Sequence, residues 1–194
     1  MKMITKNIAC IVKRKCENMN NNNNTDIKNQ IRHIADFPKP GIDFLDITPL
    51  LLNPESFENV VNSFVKELSG VDFDIIASSE ARGFIFGAPV AYALKKGFVP
   101  IRKKNKLPGD KISVEYDLEY GVDVLEMHAD AVKPGQKVVI LDDILATGGT
   151  IAANVKLIEK LGGEVVKILF LVELKFLNGK EKLNGYDIIS LVEE

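Results

Sequence analysis

Four consecutive apolar residues, Val138-Val139-Ile140-Leu141, run directly into two carboxylates, Asp142 and Asp143. Ile144-Leu145-Ala146-Thr147-Gly148-Gly149-Thr150 follows them. An unbroken apolar run of strand length suits a strand covered on both faces, as in parallel sheets flanked by helices. Two adjacent carboxylates at the end of a buried strand are costly unless something pairs with them. The small residues beyond them let the backbone turn closely, and Thr147 and Thr150 bring hydroxyls to the start of a predicted helix. Free N–H groups and the dipole at a helix start make an anion site. A Walker loop needs Lys before the last Thr, where Gly149 stands, and a Gly-x-Gly-x-x-Gly fingerprint is absent. What remains is a phosphate cradle behind two acids that can accept from vicinal hydroxyls, which suits a ribose phosphate. By itself, the Gly148-Gly149 pair also fits an ordinary turn between strand and helix.

The rest of the chain alternates in the same manner. Asp26 caps a predicted helix carrying Ile27, Ile31, His33 and Ile34, which the loop Asp36-Phe37-Pro38-Lys39-Pro40-Gly41 closes. Asn53, Pro54 and Glu55 open a second helix with Phe57, Val60, Val61, Phe64, Val65 and Leu68 on one face and Gly70 as its stop. Strands are predicted over 73–79, 98–102, 137–142, 165–172 and 186–192. Helices are predicted over 83–96, stopped by Gly97, and from the glycine loop through Leu161, stopped by Gly162-Gly163. After a polar loop over 103–111, residues 113–119 and 123–128 form a predicted hairpin, with His128 on its second strand. The expectation is an α/β fold, a parallel sheet with an added antiparallel hairpin. Residues 1–25 are expected to be a disordered tail, and 26–194 a single domain.

Charge and cysteine usage narrow the function. Lys and Arg total 25 against 27 Asp and Glu, for a net charge of −2. The tail holds five basic residues and one acid, leaving 20 basic and 26 acidic residues, a net of −6, over 26–194. No overall basic field exists to hold nucleic acid. Tryptophan is absent and aromatics make up 7%, which argues against a stacking surface of rings. Cys10 and Cys16 both lie in the tail, so residues 26–194 have neither a disulfide framework nor a Cys-based zinc site. A reducing, cytoplasmic compartment is expected. The longest apolar stretches are five residues, 8–12 and 168–172, so no membrane span is expected. The tail closes in five asparagines and lacks the serine and arginine enrichment of a transit peptide.

The pattern from Val138 to Thr150 resembles the phosphoribosyl-pyrophosphate signature of type I phosphoribosyltransferases. Other segments narrow the resemblance to the adenine phosphoribosyltransferases. These are Phe37-Pro38-Lys39-Pro40-Gly41-Ile42 with Phe44 and Asp46-Ile47-Thr48, Glu80-Ala81-Arg82-Gly83-Phe84 with Gly87-Ala88-Pro89, and Ile101-Arg102-Lys103 with Lys106-Leu107-Pro108. Tyr116-Asp117-Leu118-Glu119-Tyr120-Gly121 completes the set, and the likeness spans about residues 28–175 in unbroken order. The fold it implies has a parallel sheet flanked by helices, a hairpin lid and a small N-terminal hood segment. The reaction it implies moves ribose 5-phosphate from phosphoribosyl pyrophosphate to N9 of adenine, giving AMP and pyrophosphate, with Mg2+ held mainly by the substrate.

The same resemblance assigns roles residue by residue. Ala146, Thr147, Gly148, Gly149 and Thr150 would hold the 5′-phosphate, while Asp142 and Asp143 would bind the 2′- and 3′-hydroxyls and stabilise an oxocarbenium-like transition state. Ala81, Arg82, Arg102, Lys103 and Lys106 would bind pyrophosphate, with Arg102 reaching across a homodimer interface. Glu119 would assist proton transfer at the purine and Tyr120 would close the lid, excluding water from an activated sugar. Asp43, Phe44 and Leu45 would bind adenine, with Phe44 stacking on the ring. On pattern alone, Arg82 also suits a surface ion pair, Lys103 and Lys106 a solvated loop, and Glu119-Tyr120 an exposed turn. Asp43 and Leu45 stand where the family often has an apolar residue and Arg, which keeps another purine base open. A non-catalytic sensor of phosphoribosyl pyrophosphate is the alternative from another class. His33 and His128 lack ligand spacing and are expected to be structural.

Overall fold

The computed structural model describes residues 27–118 and 121–194, so the tail, Glu119 and Tyr120 lie outside the described residues. The chain divides into two compact units, residues 1–67 and 68–194.

In the first unit the predicted opening helix is cut short. Residues 27–29 make one turn, and β1 (Arg32–Ala35) then pairs antiparallel with β2 (Asp43–Asp46) in the register Arg32↔Asp46 and Ala35↔Asp43. Ile27, Ile31 and Ile34 imitate a helical face, but so short a helix is marginal unless packing holds it. Cross-strand pairing wins: Arg32 binds Asp46, and His33 Nδ1 lies 2.6 Å from Asp43 Oδ2. His33 is therefore a strand residue. The proline-glycine segment closes this hairpin rather than a helix. Asp36 turns it at φ 59°, and its Oδ1 accepts from Gly41 N at 2.7 Å. Asp46 Oδ1 accepts from Thr48 N at 2.9 Å, at the head of α1 (Thr48–Leu52). Hydrogen bonds from Thr48, then Arg32, hold the Asp46 carboxyl down to about 2. α2 (Pro54–Glu67) follows as predicted: Asn53 Oδ1 accepts from Glu55 N at 3.0 Å and Ser56 N at 3.1 Å. Val60 and Phe64 carry its buried face, with Phe57, Val61 and Val65 half-buried beside them.

The second unit is built on seven strands. They are β3 (Ile75–Ser79), β4 (Gly97–Lys103), β5 (Lys111–Leu118), β6 (Gly121–His128), β7 (Lys137–Leu145), β8 (Glu164–Glu173) and β9 (Ile188–Glu193). Their order is β5-β6-β4-β3-β7-β8-β9, with β4 through β9 in that order parallel. The β5–β6 hairpin extends the same sheet, joined antiparallel to β4 at Arg102↔Glu126. β7 runs three residues past its predicted end, so Asp142 sits within the ladder, opposite Phe170.

Two helices cover this sheet, α3 (Arg82–Leu94) and α4 (Gly149–Lys160). Gly87 of α3 lies against Ser78 Oγ, while Asn154 of α4 donates to Ser79 Oγ at 2.5 Å. Successive strand residues face opposite sides, so the helices cover opposite faces. Ile151, Val155 and Ile158 of α4 bury against Ile140, Ile168 and Phe170 in the main core. α3 ends before its predicted Gly97 stop. Lys95 takes the left-handed cap at φ 57°, and Lys96 N returns to Ala91 O at 2.9 Å, leaving Gly97 to open β4. No helix among the described residues is long and apolar enough to cross a membrane.

The Asn53 cap gives a local test. Asn53→Ala should lower stability by about 1 kcal/mol, and Asn53→Asp should retain most of it. Urea unfolding midpoints measure both, and an unchanged midpoint for Asn53→Ala would remove the cap from α2.

Candidate functional site

The carboxyl ends of β3, β4 and β7 meet at one end of the second unit, around a cavity of about 300 Å³. It brings together Arg82, Lys103, Asp142, Asp143, Ala146 and Thr150 from the predicted set. Arg102 and Lys106 are not among its lining residues.

The two carboxylates are the unusual feature. Asp142 and Asp143 are each 6% exposed. Asp142 Oδ1 accepts from Asp143 N at 3.0 Å, and Asp143 Oδ2 lies 2.6 Å from Arg82 Nε in an ion pair. Burial pushes the Asp142 carboxyl well above its ordinary range and the Asp143 charge adds to it, against bonds from Asp143 N–H and the Ser79 hydroxyl. Burial raises Asp143 as well, opposed first by the Arg82 guanidinium. A pair in this state accepts strongly from any hydroxyl donors that reach it, because those donors favour the ionised form.

Two helix starts flank the carboxylates. α3 opens at Ala81 and α4 at Gly148, and neither has a side-chain cap. Their first N–H groups and dipoles suit anions. The first turn of α3 lies so close to the carboxylates that a Cβ on Gly83 would stand 2.5 Å from Asp142 Oδ1. The turn before α4 is backed by the 3-10 segment Gly179–Leu183. A Cβ on Gly148, at φ 77°, would strike Gly179 O, and one on Gly179 would strike Ala146 O. Thr147, Gly148 and Gly149 are thus held as a turn by backbone packing that the local sequence does not reveal.

Arg102 and Lys103, like Arg82, already have carboxylate partners. Arg102 forks onto Glu80, Nε to Oε2 at 3.0 Å and Nη2 to Oε1 at 3.3 Å, and Lys103 N also donates to Oε2 at 3.0 Å. The Arg102 bonds hold the Glu80 carboxyl below its ordinary value. The Glu80–Ala81 peptide between this carboxylate and α3 is cis. Lys103 Nζ lies 3.5 Å from Asp123 Oδ2. Six further residues line the cavity without having been assigned to it from the sequence, the apolar Leu125 and Ile144 and the polar Ser79, Glu80, Tyr116 and Asp123. Tyr116 and Asp123 face each other across the hairpin, Oη to Oδ2 at 3.4 Å, and burial raises the Tyr116 hydroxyl. Strand alternation around Val114 and Leu125 was the signal that could have found them.

The predicted base segment belongs to the first unit. Phe44 is half-buried with its ring 5.3 Å from that of Phe37, edge to face; Asp43 is paired with His33, and Leu45 is 3% exposed. The predicted Glu119 and Tyr120 fall outside the described residues. Among the described residues no group of three or more His, Cys, Asp or Glu side chains gathers as a metal site.

Residues 51–190 match the family model of the phosphoribosyl transferase domain. The adenine phosphoribosyltransferase of Acetivibrio thermocellus is 59% identical over 169 residues, 87% of this chain and 99% of that protein. The crystal structure of the adenine phosphoribosyltransferase from Thermoanaerobacter pseudethanolicus superposes with a TM-score of 0.86 at 58% identity, covering 88% of this chain and 99% of that one. The Saccharomyces cerevisiae adenine phosphoribosyltransferase, solved with an imino-altritol bisphosphate and adenine, gives a TM-score of 0.83 at 38% identity over 87% and 98% of the two chains.

The buried carboxylates set a pH dependence. With folded values above the unfolded one of about 3.9, the native state holds these protons more tightly. That contribution is fully present below the unfolded value and is lost as pH climbs through the raised ones. Asp142→Asn, which cannot ionise, should therefore melt above wild type by about 3 °C near neutral pH, with the gap closing toward pH 4. Melting curves across pH check this; a gap independent of pH would contradict it.

Proposed function

The chain belongs to the phosphoribosyltransferase family and, within it, to the adenine phosphoribosyltransferases, and from that membership we propose how its residues carry the reaction. The reaction transfers the 5-phosphoribosyl group of phosphoribosyl pyrophosphate to adenine, forming AMP and pyrophosphate in purine salvage. The observation that carries the residue assignment is the buried Asp142–Asp143 pair, set directly before the uncapped start of α4 and against Arg82.

In this reading residues 146–150 receive the 5′-phosphate on the α4 N-terminus, and Asp142 and Asp143 accept from the ribose hydroxyls. Those bonds favour both ionised carboxylates, which face the sugar as positive charge develops on it. Arg82 and the α3 N-terminus receive the pyrophosphate, and Lys103 turns to it from Asp123. Arg102 can reach pyrophosphate across a homodimer interface only by leaving Glu80, and Lys106 joins the same basic cluster. Among the described residues no side-chain cluster would cage Mg2+, so it would be held mainly by substrate oxygens and water, and would supply charge neutralisation for the pyrophosphate that Arg82 and the α3 N-terminus receive. Phe44 stacks on adenine in place of its edge contact with Phe37, while Asp43 and Leu45 leave base reading to neighbouring backbone groups. Glu119 and Tyr120 act as proton-transfer residue and lid by resemblance. The homodimer rests on resemblance too, and a cytoplasmic location rests on the absence of cysteine from residues 26–194.

A base panel with phosphoribosyl pyrophosphate tests this function. Adenine should turn over fastest, with pyrophosphate released; faster turnover of hypoxanthine, guanine or xanthine would move the chain to another base. Tight substrate binding without pyrophosphate release from any base would instead favour a sensor. Asp142→Asn combined with Asp143→Asn should lower turnover by about two to four orders of magnitude with circular dichroism unchanged; undiminished turnover would end their assigned role.

A further inference from the structure

α4 carries an asparagine in its buried interior. Asn154 is 0% exposed, although asparagine is a poor helix residue and a buried amide is costly unless both its ends are bonded. One end is bonded: Nδ2 donates to Ser79 Oγ at 2.5 Å, while Oδ1 is buried without a partner. An apolar side chain of similar size would suit the helix better, so stability does not account for the amide. Its partner points to a different reason. Ser79 ends β3, is 3% exposed and lines the cavity together with Asp142, whose carboxyl its hydroxyl draws down against the effect of burial.

The direction of these bonds follows from the donors. An amide nitrogen can only donate, so the Ser79 oxygen accepts from Asn154 and its single proton is left for the Asp142 carboxylate. We propose that Asn154 and Ser79 act together as positioning residues, orienting the Asp142 carboxylate and readying it to accept a ribose hydroxyl. This rests on the role assigned to Asp142 above. Neither residue needs to touch substrate; both act through the carboxylate. The other titratable or charged groups lining the cavity with Asp142 are Asp143 on its own strand, Glu80 between β3 and α3, Arg82 from α3, Tyr116 from β5, Asp123 from β6 and Lys103 from β4. All are unchanged in Ser79 and Asn154 variants, so a moved pH profile in those variants reports the relay.

The test is the pH profile of kcat/KM for phosphoribosyl pyrophosphate in Ser79→Ala, Ser79→Thr, Asn154→Leu and the Ser79→Ala/Asn154→Leu pair. Substrate titration is common to all and cancels on comparison with wild type. Ser79→Ala should move the acidic limb up by about one pH unit. Asn154→Leu should move it the same way by less, the pair no further than Ser79→Ala, and Ser79→Thr should restore it. Melting temperature separates this from a packing role. Asn154→Leu should melt at or above wild type, while Ser79→Ala, which strands the Asn154 amide, should melt lower. An unmoved limb in Ser79→Ala and Asn154→Leu, whatever happens to kcat, would overturn the relay, as would a lower melting temperature for Asn154→Leu with the limb unmoved. Should Ser79→Ala not fold, Asn154→Leu carries the same readout. Wild-type turnover in Asp142→Asn would defeat the role of Asp142 itself, whereas an inactive Asp142→Asn beside an unmoved limb would defeat the relay alone.

Discussion

Burying two adjacent carboxylates at the end of β7 is the constraint that the second unit is arranged to meet. Like charges on neighbouring residues repel strongly where water is scarce, and each would be costly there without partners. The structure offsets this from several directions. Asp143 N–H bonds to Asp142, the Ser79 hydroxyl draws the Asp142 carboxyl down against burial, and Arg82 approaches Asp143. The first turn of α3 comes close enough that Gly83 has no room for a side chain. The strand cannot swing away to relieve the repulsion, because its ladder to β8 continues past the carboxylates to Leu145↔Glu173. A fixed pair of anions facing a cavity is a preorganised partner for developing positive charge, needing little rearrangement at the moment of reaction.

The turn before α4 is fixed by a different device. Beyond β7 the chain has no side-chain cap to define the start of α4. Its shape is set by backbone pressed on backbone, where Gly148 and Ala146 meet Gly179. Leu174 N donates to Leu145 O at 2.9 Å, which ties the segment after β8 to the end of β7. Beneath it, Lys180 Nζ pairs with the buried Glu173 at 2.6 Å, and Ser190 donates to the same carboxylate at 2.9 Å. The segment from Glu173 to Ser190 thus backs the turn, leaving the first N–H groups of α4 open to an anion.

What could be seen in the sequence followed from how local each signal is. β7, its carboxylates and the helix start lie within thirteen consecutive residues of distinct types, so both the fold class and the place of the candidate site were legible there. α2 was legible because Asn53, Pro54 and a repeated apolar face agree on one answer. β1 was not, since three isoleucines at helical spacing outweighed, on the page, cross-strand pairs with Asp43 and Asp46 about ten residues away. Lys95 hid the end of α3 because a left-handed lysine carries no composition signal, whereas Gly97 carries a false one. Tyr116 and Asp123 converge only through hairpin register. Asn154 and Ser79 are 75 residues apart, and Gly179 lies beyond the motif it supports. Sheet topology alone brings these together.

The acidic balance of residues 26–194, net −6, bears on how a polyanionic substrate is received. Arg82, Arg102 and Lys103 are each held by a carboxylate, from Asp143, Glu80 and Asp123, at 2.6, 3.0 and 3.5 Å. Binding under the proposed roles is then an exchange of carboxylate for phosphate partners rather than attraction into an open cationic site. Lys103, more than half exposed and in the longest of the three contacts, exchanges most readily, since such pairs contribute little. Arg102, forked onto Glu80, resists most. Arg82 is the consequential case. Under the proposed roles, pyrophosphate drawing the Arg82 guanidinium away from Asp143 would leave that carboxylate without its cation, free to face a sugar that carries positive charge. The departing group and the stabilising anion would then be coupled through one side chain, because the pair at 2.6 Å is the contact to be exchanged.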